Sequence, residues 1–311
     1  MLPRLVAIVG PTASGKSAIA LELALRLGGE IVNADSRQVY RGMDIGTARP
    51  PAAEQRLVPH HLFDVADPAG DFSLALYRQQ AHAAFDEAWA RGSFPWLVGG
   101  TGQYIWALLE NWQVPEVAPD AALRAALAGF AAECGAGALH DRLRAVDPVA
   151  AERIDARNVR RVVRALEVFE HTGVPISDWQ RKGQPPFEYL LFGIDLDPAV
   201  LEERINRRAE EMFAAGFIDE VRGLLDAGVP ADAPAMSSIG YGEVIRHLAG
   251  EISLDEAVEQ TKRATRRLVR RQRQWFRRDD PRIAWVRDAD AIELQANIST
   301  GACTTTVRRA R

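Results

Sequence analysis

The chain is 311 residues long, with a formal net charge of −4 and two cysteines, Cys134 and Cys303. That length suits two domains, or one domain with a large insertion, and the two distant thiols exclude a disulfide framework and a cysteine zinc site. No apolar stretch reaches the length of a signal h-region or a membrane span, which predicts a cytoplasmic protein with no membrane partner; the negative average discourages nucleic-acid binding unless the charge is unevenly spread.

Residues 5–9 form an apolar run of strand character, and 18–27 carry helical periodicity. Between them lie Gly10, Pro11, Thr12, Ala13, Ser14, Gly15, Lys16 and Ser17, the strand, glycine-containing loop and helix order of a Walker A phosphate loop. The chemistry needs those residue types. Glycines let backbone N–H groups wrap an anion, the helix N-terminus adds positive potential, Lys16 neutralises phosphate oxygens, and the Ser17 hydroxyl reaches Mg²⁺. A diphosphate-binding site is therefore expected, in preference to a purely structural turn.

A second strand is expected at 30–33 and is followed by Asp35. The carboxyl end of that strand opens on the same crevice as the phosphate loop in a doubly wound sheet, so Asp35 is a candidate for chemistry, with a turn or helix cap as the alternative. Adjacent His60 and His61 lack the further ligands of a metal site. Residues 72–91 read as a helix and 96–98 as a third strand, which runs into Gly99, Gly100, Thr101 and Gly102. Thr101 either faces the ligand or caps the next helix. No aspartate ends that strand as in a Walker B element, which argues against an ordinary ATPase.

Residues 1–114 thus have an α/β parallel-sheet pattern. Residues 115–185 contain no convincing strand and read as a helical insertion, after which a strand at 189–194 and helices at 201–227 and 254–276 return the chain to the core domain over 186–285. The segment 297–311 reads as a disordered tail. Arg153, Arg157, Arg160, Arg161 and Arg164 are spaced to share one helical face, with Asp155 the one opposing charge. Between 262 and 278 nine of seventeen residues are basic and none is acidic, and such concentration of one sign calls for a polyanion such as RNA or DNA. A solvated charged face is the alternative at both places.

Several blocks together resemble the tRNA dimethylallyltransferase family, also called tRNA isopentenyltransferase. They are GPTASGKS at 10–17, NADSRQVYRGMDIGTARP at 33–50, HHLFD at 60–64 and GGTGQY at 99–104. Further matches are RVVRALEVF at 161–169, GFIDEV at 216–221, IGYGE at 239–243 and RRQRQWFR at 270–277. The resemblance implies a P-loop NTPase-like parallel sheet flanked by helices, with an inserted all-helical tRNA-binding domain; nothing in the sequence requires a dimer, so a monomer is expected. It implies transfer of a dimethylallyl group from dimethylallyl diphosphate to N6 of the adenine immediately 3′ of a tRNA anticodon, with Mg²⁺ at Ser17 and the loop holding diphosphate. By the same likeness Asp35 is the general base, Lys16, Thr101 and Arg208 are catalytic, and Arg204 lies one turn from Arg208. The flipped base in the anticodon stem-loop would meet Asp35, Ser36, Arg37, Gln38, Thr101 and Arg124, while Arg160, Arg161 and Arg164 grip RNA.

Gly242 and the Arg157-Asn158 pair depart from the family pattern, Ser17 replaces the commoner Thr, and the tail lacks the ligands of a zinc-finger extension. The alternatives are an adenylate isopentenyltransferase acting on a free nucleotide, a small-molecule P-loop kinase, and a non-catalytic RNA-binding protein.

Overall fold

The computed structural model of the protein describes residues 2–179 and 181–296; the 297–311 tail, with Cys303, lies outside them. Two compact units are present, one made of Met1–Ile105 with Pro186–Arg311 and the other of Trp106–Pro185.

The first unit is built on a parallel sheet of β1 (Arg4–Val9), β2 (Glu30–Asn33), β3 (His60–His61), β4 (Pro95–Gly99), β5 (Glu188–Ile194) and β6 (Ala284–Val286), in the order β3-β2-β4-β1-β5-β6. Four of these strands are expected from their apolar runs. The edge strands β3 and β6, of two and three residues, are too short to show a period and were not expected. Crossover helices α1 (Lys16–Leu27), α2 (Ala52–Gln55) and α3 (Leu74–Ala90) return the chain between the first four strands. Val6, Ile8, Trp96, Val98 and Phe192 pack with Ala20 and Leu23 of α1 in one core, each fully buried large aliphatic contributing about 1.5–3 kcal/mol.

After β4, α4 (Gly102–Leu109) carries the chain into the second unit, which is helical throughout: α5 (Ala121–Cys134), α6 (Ala136–Val146), α7 (Pro148–Arg153), α8 (Val159–Thr172) and α9 (Ile176–Trp179). Leu127, Leu139, Leu143, Val162, Val163 and Leu166 form its own core. Pro148 opens α7 and Asp147 caps it, accepting from Ala150 N. The continuous basic face expected over 153–164 is broken here: α7 ends at Arg153 and α8 begins at Val159 under an Asn158 cap, so Arg153 and Arg157 do not share a helix with Arg160, Arg161 and Arg164.

The first unit resumes with β5, then α10 (Pro198–Ala214), α11 (Phe217–Asp226), α12 (Tyr241–Leu248), α13 (Leu254–Trp275) and, after β6, α14 (Ala289–Ala296). The single helix expected over 201–227 is two, divided at Gly216, whose φ of 98° breaks the helical path. No helix among the described residues is long and apolar enough to cross a membrane.

Candidate active site

β1 lies inside the sheet between β4 and β5, so its carboxyl end delivers the 10–17 loop to the edge where the strands end. Gly15 takes φ 91°, a left-handed conformation, and starts α1. The amides of Gly15, Lys16 and Ser17 have no acceptor among the described residues. These are the orphan donors of a helix N-terminus, a group of N–H donors suited to an anion. Lys16 is buried, and its Nζ donates only a long hydrogen bond to Pro11 O at 3.4 Å. Burial lowers its pKa to about 8 and Arg208 adds to that, while Asp35 pulls it upward.

Arg208 reaches the loop from α10, which starts at Pro198 under an Asp197 cap. Its Nη1 donates to Thr12 Oγ1 at 3.0 Å and its Nη2 to Thr47 O at 3.2 Å. Burial lowers its pKa too, opposed by Asp35. Arg204, one turn earlier, donates to Ser14 O at 3.4 Å. Two cations in a poorly solvated place, on the same loop as amides that lack an acceptor among the described residues, are chemically suited to a multiply charged anion.

Asp35 follows β2 in a turn held by Asn33, whose Oδ1 accepts Asp35 N at 2.9 Å and whose Nδ2 donates to Asp35 O at 3.1 Å. Asp35 Oδ1 accepts Arg37 N at 2.9 Å, so the residue does fill the turn role weighed from the sequence, and its Oδ2 keeps no hydrogen-bond partner among the described residues. Thr101 ties this turn to the end of β4: its N donates to Ala34 O at 3.1 Å, and its Oγ1 accepts Ser36 N at 2.9 Å and donates to Ser36 Oγ at 3.3 Å. Arg37 donates to Pro234 O and Ser237 Oγ, and the buried Gln38 donates to Thr47 O and Ala48 O. Lys16, Asp35, Ser36, Arg37, Gln38, Thr101, Arg204 and Arg208 thus stand in one unit around the strand ends.

Two supporting residues escaped the sequence reading. Glu220 of α11 accepts the amides of Asp44, Ile45 and Gly46 at 2.6–3.0 Å and the Tyr241 hydroxyl at 2.6 Å, fixing the loop whose Thr47 carbonyl holds Arg208. Gln272 of α13, 6% exposed, accepts Thr12 N at 2.9 Å and donates to Gly100 O at 3.1 Å. Its signal was legible in principle: Ala257, Thr261, Ala264 and Leu268 run at helical spacing toward 272, which puts a polar side chain on a core face.

Arg124, Arg160, Arg161 and Arg164 lie in the helical unit. Glu167 there is fully buried and accepts Arg124 Nε at 2.7 Å, Arg164 Nη1 at 2.6 Å and Asp120 N at 2.8 Å. Burial pushes its pKa up, but those donors together outweigh it and bring it to about 2. Arg124 and Arg164 therefore serve an internal carboxylate, while Arg160 and Arg161 are exposed. On α13 of the first unit, Arg263, Arg267, Arg270 and Arg271 are exposed at spacings of one helical face and have no ion-pair partner among the described residues. Lys262 and Arg266 on the same helix are paired to carboxylates.

Among the described residues no three His, Cys, Asp or Glu side chains cluster as a metal cage. Ser17, at the start of α1 and beside a recess it shares with Asn33 and Gln38, offers one hydroxyl. That donor set fits Mg²⁺, which is held by one or two protein oxygens together with substrate phosphates.

The sequence model of the IPP transferase family matches residues 38–279, and that of isopentenyl transferases matches residues 3–59. A tRNA dimethylallyltransferase of Roseiflexus sp. strain RS-1 is 50% identical over 300 residues, covering 96% of this chain and 97% of the relative. One from Roseiflexus castenholzii is 54% identical over 278 residues, covering 89% and 90%. Among solved structures, the tRNA isopentenylpyrophosphate transferase of Bacillus halodurans superposes with a TM-score of 0.67 at 41% identity, over 95% of this chain and 93% of its own.

Proposed function

This chain belongs to the tRNA dimethylallyltransferase family, and we propose that it moves a dimethylallyl group from dimethylallyl diphosphate to N6 of the adenine immediately 3′ of the anticodon in tRNA. The observation that carries the donor half is buried Lys16 and half-buried Arg208 beside the amides of Gly15, Lys16 and Ser17, which have no acceptor among the described residues. A diphosphate leaving group gains negative charge as its bond to carbon breaks, and these donors meet that charge without reorganising.

N6 of adenine attacks C1 of the dimethylallyl group; the N–C bond forms, the C1–O bond breaks, and the electron pair leaves with diphosphate. Adenine N6 is a weak nucleophile because its lone pair is delocalised into the ring, so removal of its proton assists bond formation. Asp35 takes that proton on Oδ2, while its Oδ1 is held by Arg37 N and its backbone by Asn33. Thr101 and Ser36 keep the turn in place. Mg²⁺ at Ser17 supplies Lewis-acid neutralisation of the diphosphate oxygens when bound. A stacked adenine cannot reach Asp35 and an allylic carbon together, so the base leaves the anticodon stack on binding. Arg37 and Gln38 border its path, and the exposed arginines of α8 and α13 hold the RNA backbone.

Incubation of the protein with an anticodon stem-loop, Mg²⁺ and dimethylallyl diphosphate tests this reading: the RNA gains the mass of one isopentenyl unit at that adenine. Transfer to free AMP in place of RNA, or release of phosphate from ATP with no transfer, would overturn it.

A further inference from the structure

Gln272 is a primary amide placed on the buried face of an arginine-rich helix, and both halves of it are used. Its Oε1 accepts Thr12 N at 2.9 Å and its Nε2 donates to Gly100 O at 3.1 Å. The first partner belongs to the diphosphate loop, in a residue whose hydroxyl also accepts Arg208. The second adjoins Thr101, which carries the Ser36 amide next to Asp35. One side chain is thus bonded to the loop proposed to hold the donor and to the loop that steadies the proposed base. The approach is close: a Cβ at Gly100 would lie 2.3 Å from Gln272 Nε2, and one at Gly102 would lie 2.2 Å from the Trp275 ring, one turn further along α13.

We infer that Gln272 is a positioning residue that sets the separation of these two loops, and so the distance between the allylic carbon and the adenine amine. The inference rests on the prenyl-transfer reading above. Two reactants held on different loops react at a rate governed by their alignment, and a displacement of about 1 Å costs on the order of 100-fold. A glutamine that merely satisfied two backbone groups would contribute to stability alone.

The test uses the full-length protein with Gln272→Ala and Gln272→Glu. Competent sites are counted by calorimetric titration with inorganic diphosphate and Mg²⁺, and single-turnover transfer is measured per competent site. Gln272→Ala is expected to slow transfer roughly 10- to 100-fold per site with diphosphate affinity within about threefold of wild type. Gln272→Glu keeps an oxygen for Thr12 N but, when ionised, turns a second oxygen toward Gly100 O; protonated, it donates again. Its deficit relative to wild type should therefore be large near pH 8 and shrink as the pH falls toward 5. Any pH dependence common to both proteins divides out of the ratio. Rates per competent site within about threefold of wild type for both variants at every pH, whatever their melting temperatures, would overturn the inference and leave the reaction standing. A wild-type protein that transfers nothing to the stem-loop would overturn the reaction, and the inference with it.

Discussion

At the scale of single residues the site sets stability against function. Lys16 holds its proton in the folded protein with a pKa of about 8, below the ordinary 10.5. Below pH 8 both states are protonated, and the fold bears the full cost of a buried ammonium. As the pH rises from about 8 to 10.5 the unfolded chain binds more protons, so stability increases through that window. Lys16→Met should accordingly stabilise the protein at pH 7, by on the order of 1–3 kcal/mol in denaturant unfolding, while removing most transfer activity; a lower midpoint would show that Lys16 is net stabilising where it sits. Diphosphate affinity of the wild type should weaken above pH 8, where Lys16 loses its charge. Asp35 behaves differently, because its proposed role is confined to the chemical step. Asp35→Asn preserves the bond from Arg37 N and should leave diphosphate and RNA binding near wild type while slowing single-turnover transfer about 10²–10⁴-fold. A loss under tenfold would remove Asp35 as the base.

At the scale of elements, the helical unit is organised around a carboxylate that looks unremarkable in the sequence. Glu167 has no exposed surface and accepts from Arg124, Arg164 and Asp120 N. Its folded pKa, about 2, lies below the ordinary 4.5, so its contribution is complete above pH 4.5 and is lost as the pH falls toward 2. Glu167→Ala leaves two arginines and an amide without their acceptor and should destabilise the unit by about 3–5 kcal/mol, the scale for breaking a buried pair. Hydrogen exchange localised to α5 and α8 would report it; exchange unchanged there would mean that water replaces the carboxylate without loss. The arginine spacing around 160 was legible in the sequence, but the partner was not, because Glu167 lies only three residues from Arg164 and reads as another surface charge. The same limit explains the rest. The phosphate loop, β2 with Asp35, and β4 with Thr101 are local patterns whose chemistry is written within a few consecutive residues. Strands β3 and β6 are too short to carry a period, and Glu220 and Gln272 act on loops some 170 to 260 residues away, a distance that no local pattern spans.

At the scale of the whole molecule, the formal charge of −4 conceals a strongly uneven surface. Carboxylates cancel many arginines in place: Arg266, Arg277 and Arg282 each have a partner at or below 3.2 Å. Among the exposed arginines with no ion pair in the described residues, Arg263, Arg267, Arg270 and Arg271 share one face of α13, and Arg160 and Arg161 stand together on α8. Charge left unpaired on one face repels itself, and a polyanion relieves that repulsion while releasing its own counterions. Replacing the four α13 arginines by alanine should therefore weaken stem-loop binding at 50 mM salt and flatten the dependence of affinity on salt, the log–log slope losing about 0.7 for each single-stranded phosphate contact removed. Arg160→Ala with Arg161→Ala should produce a smaller change of the same kind. Arg164→Ala belongs to a different class, because its guanidinium is engaged with Glu167 and Val117 O; it should lower the stability of the helical unit and alter the slope little. Titration of diphosphate provides the control, since none of these side chains bonds to the phosphate loop. Equal slopes for wild type and the quadruple α13 variant would return that face to ordinary solvated charge, and a steep loss for Arg164→Ala alone, at unchanged stability, would place the RNA contact on the arginine that the protein already uses internally.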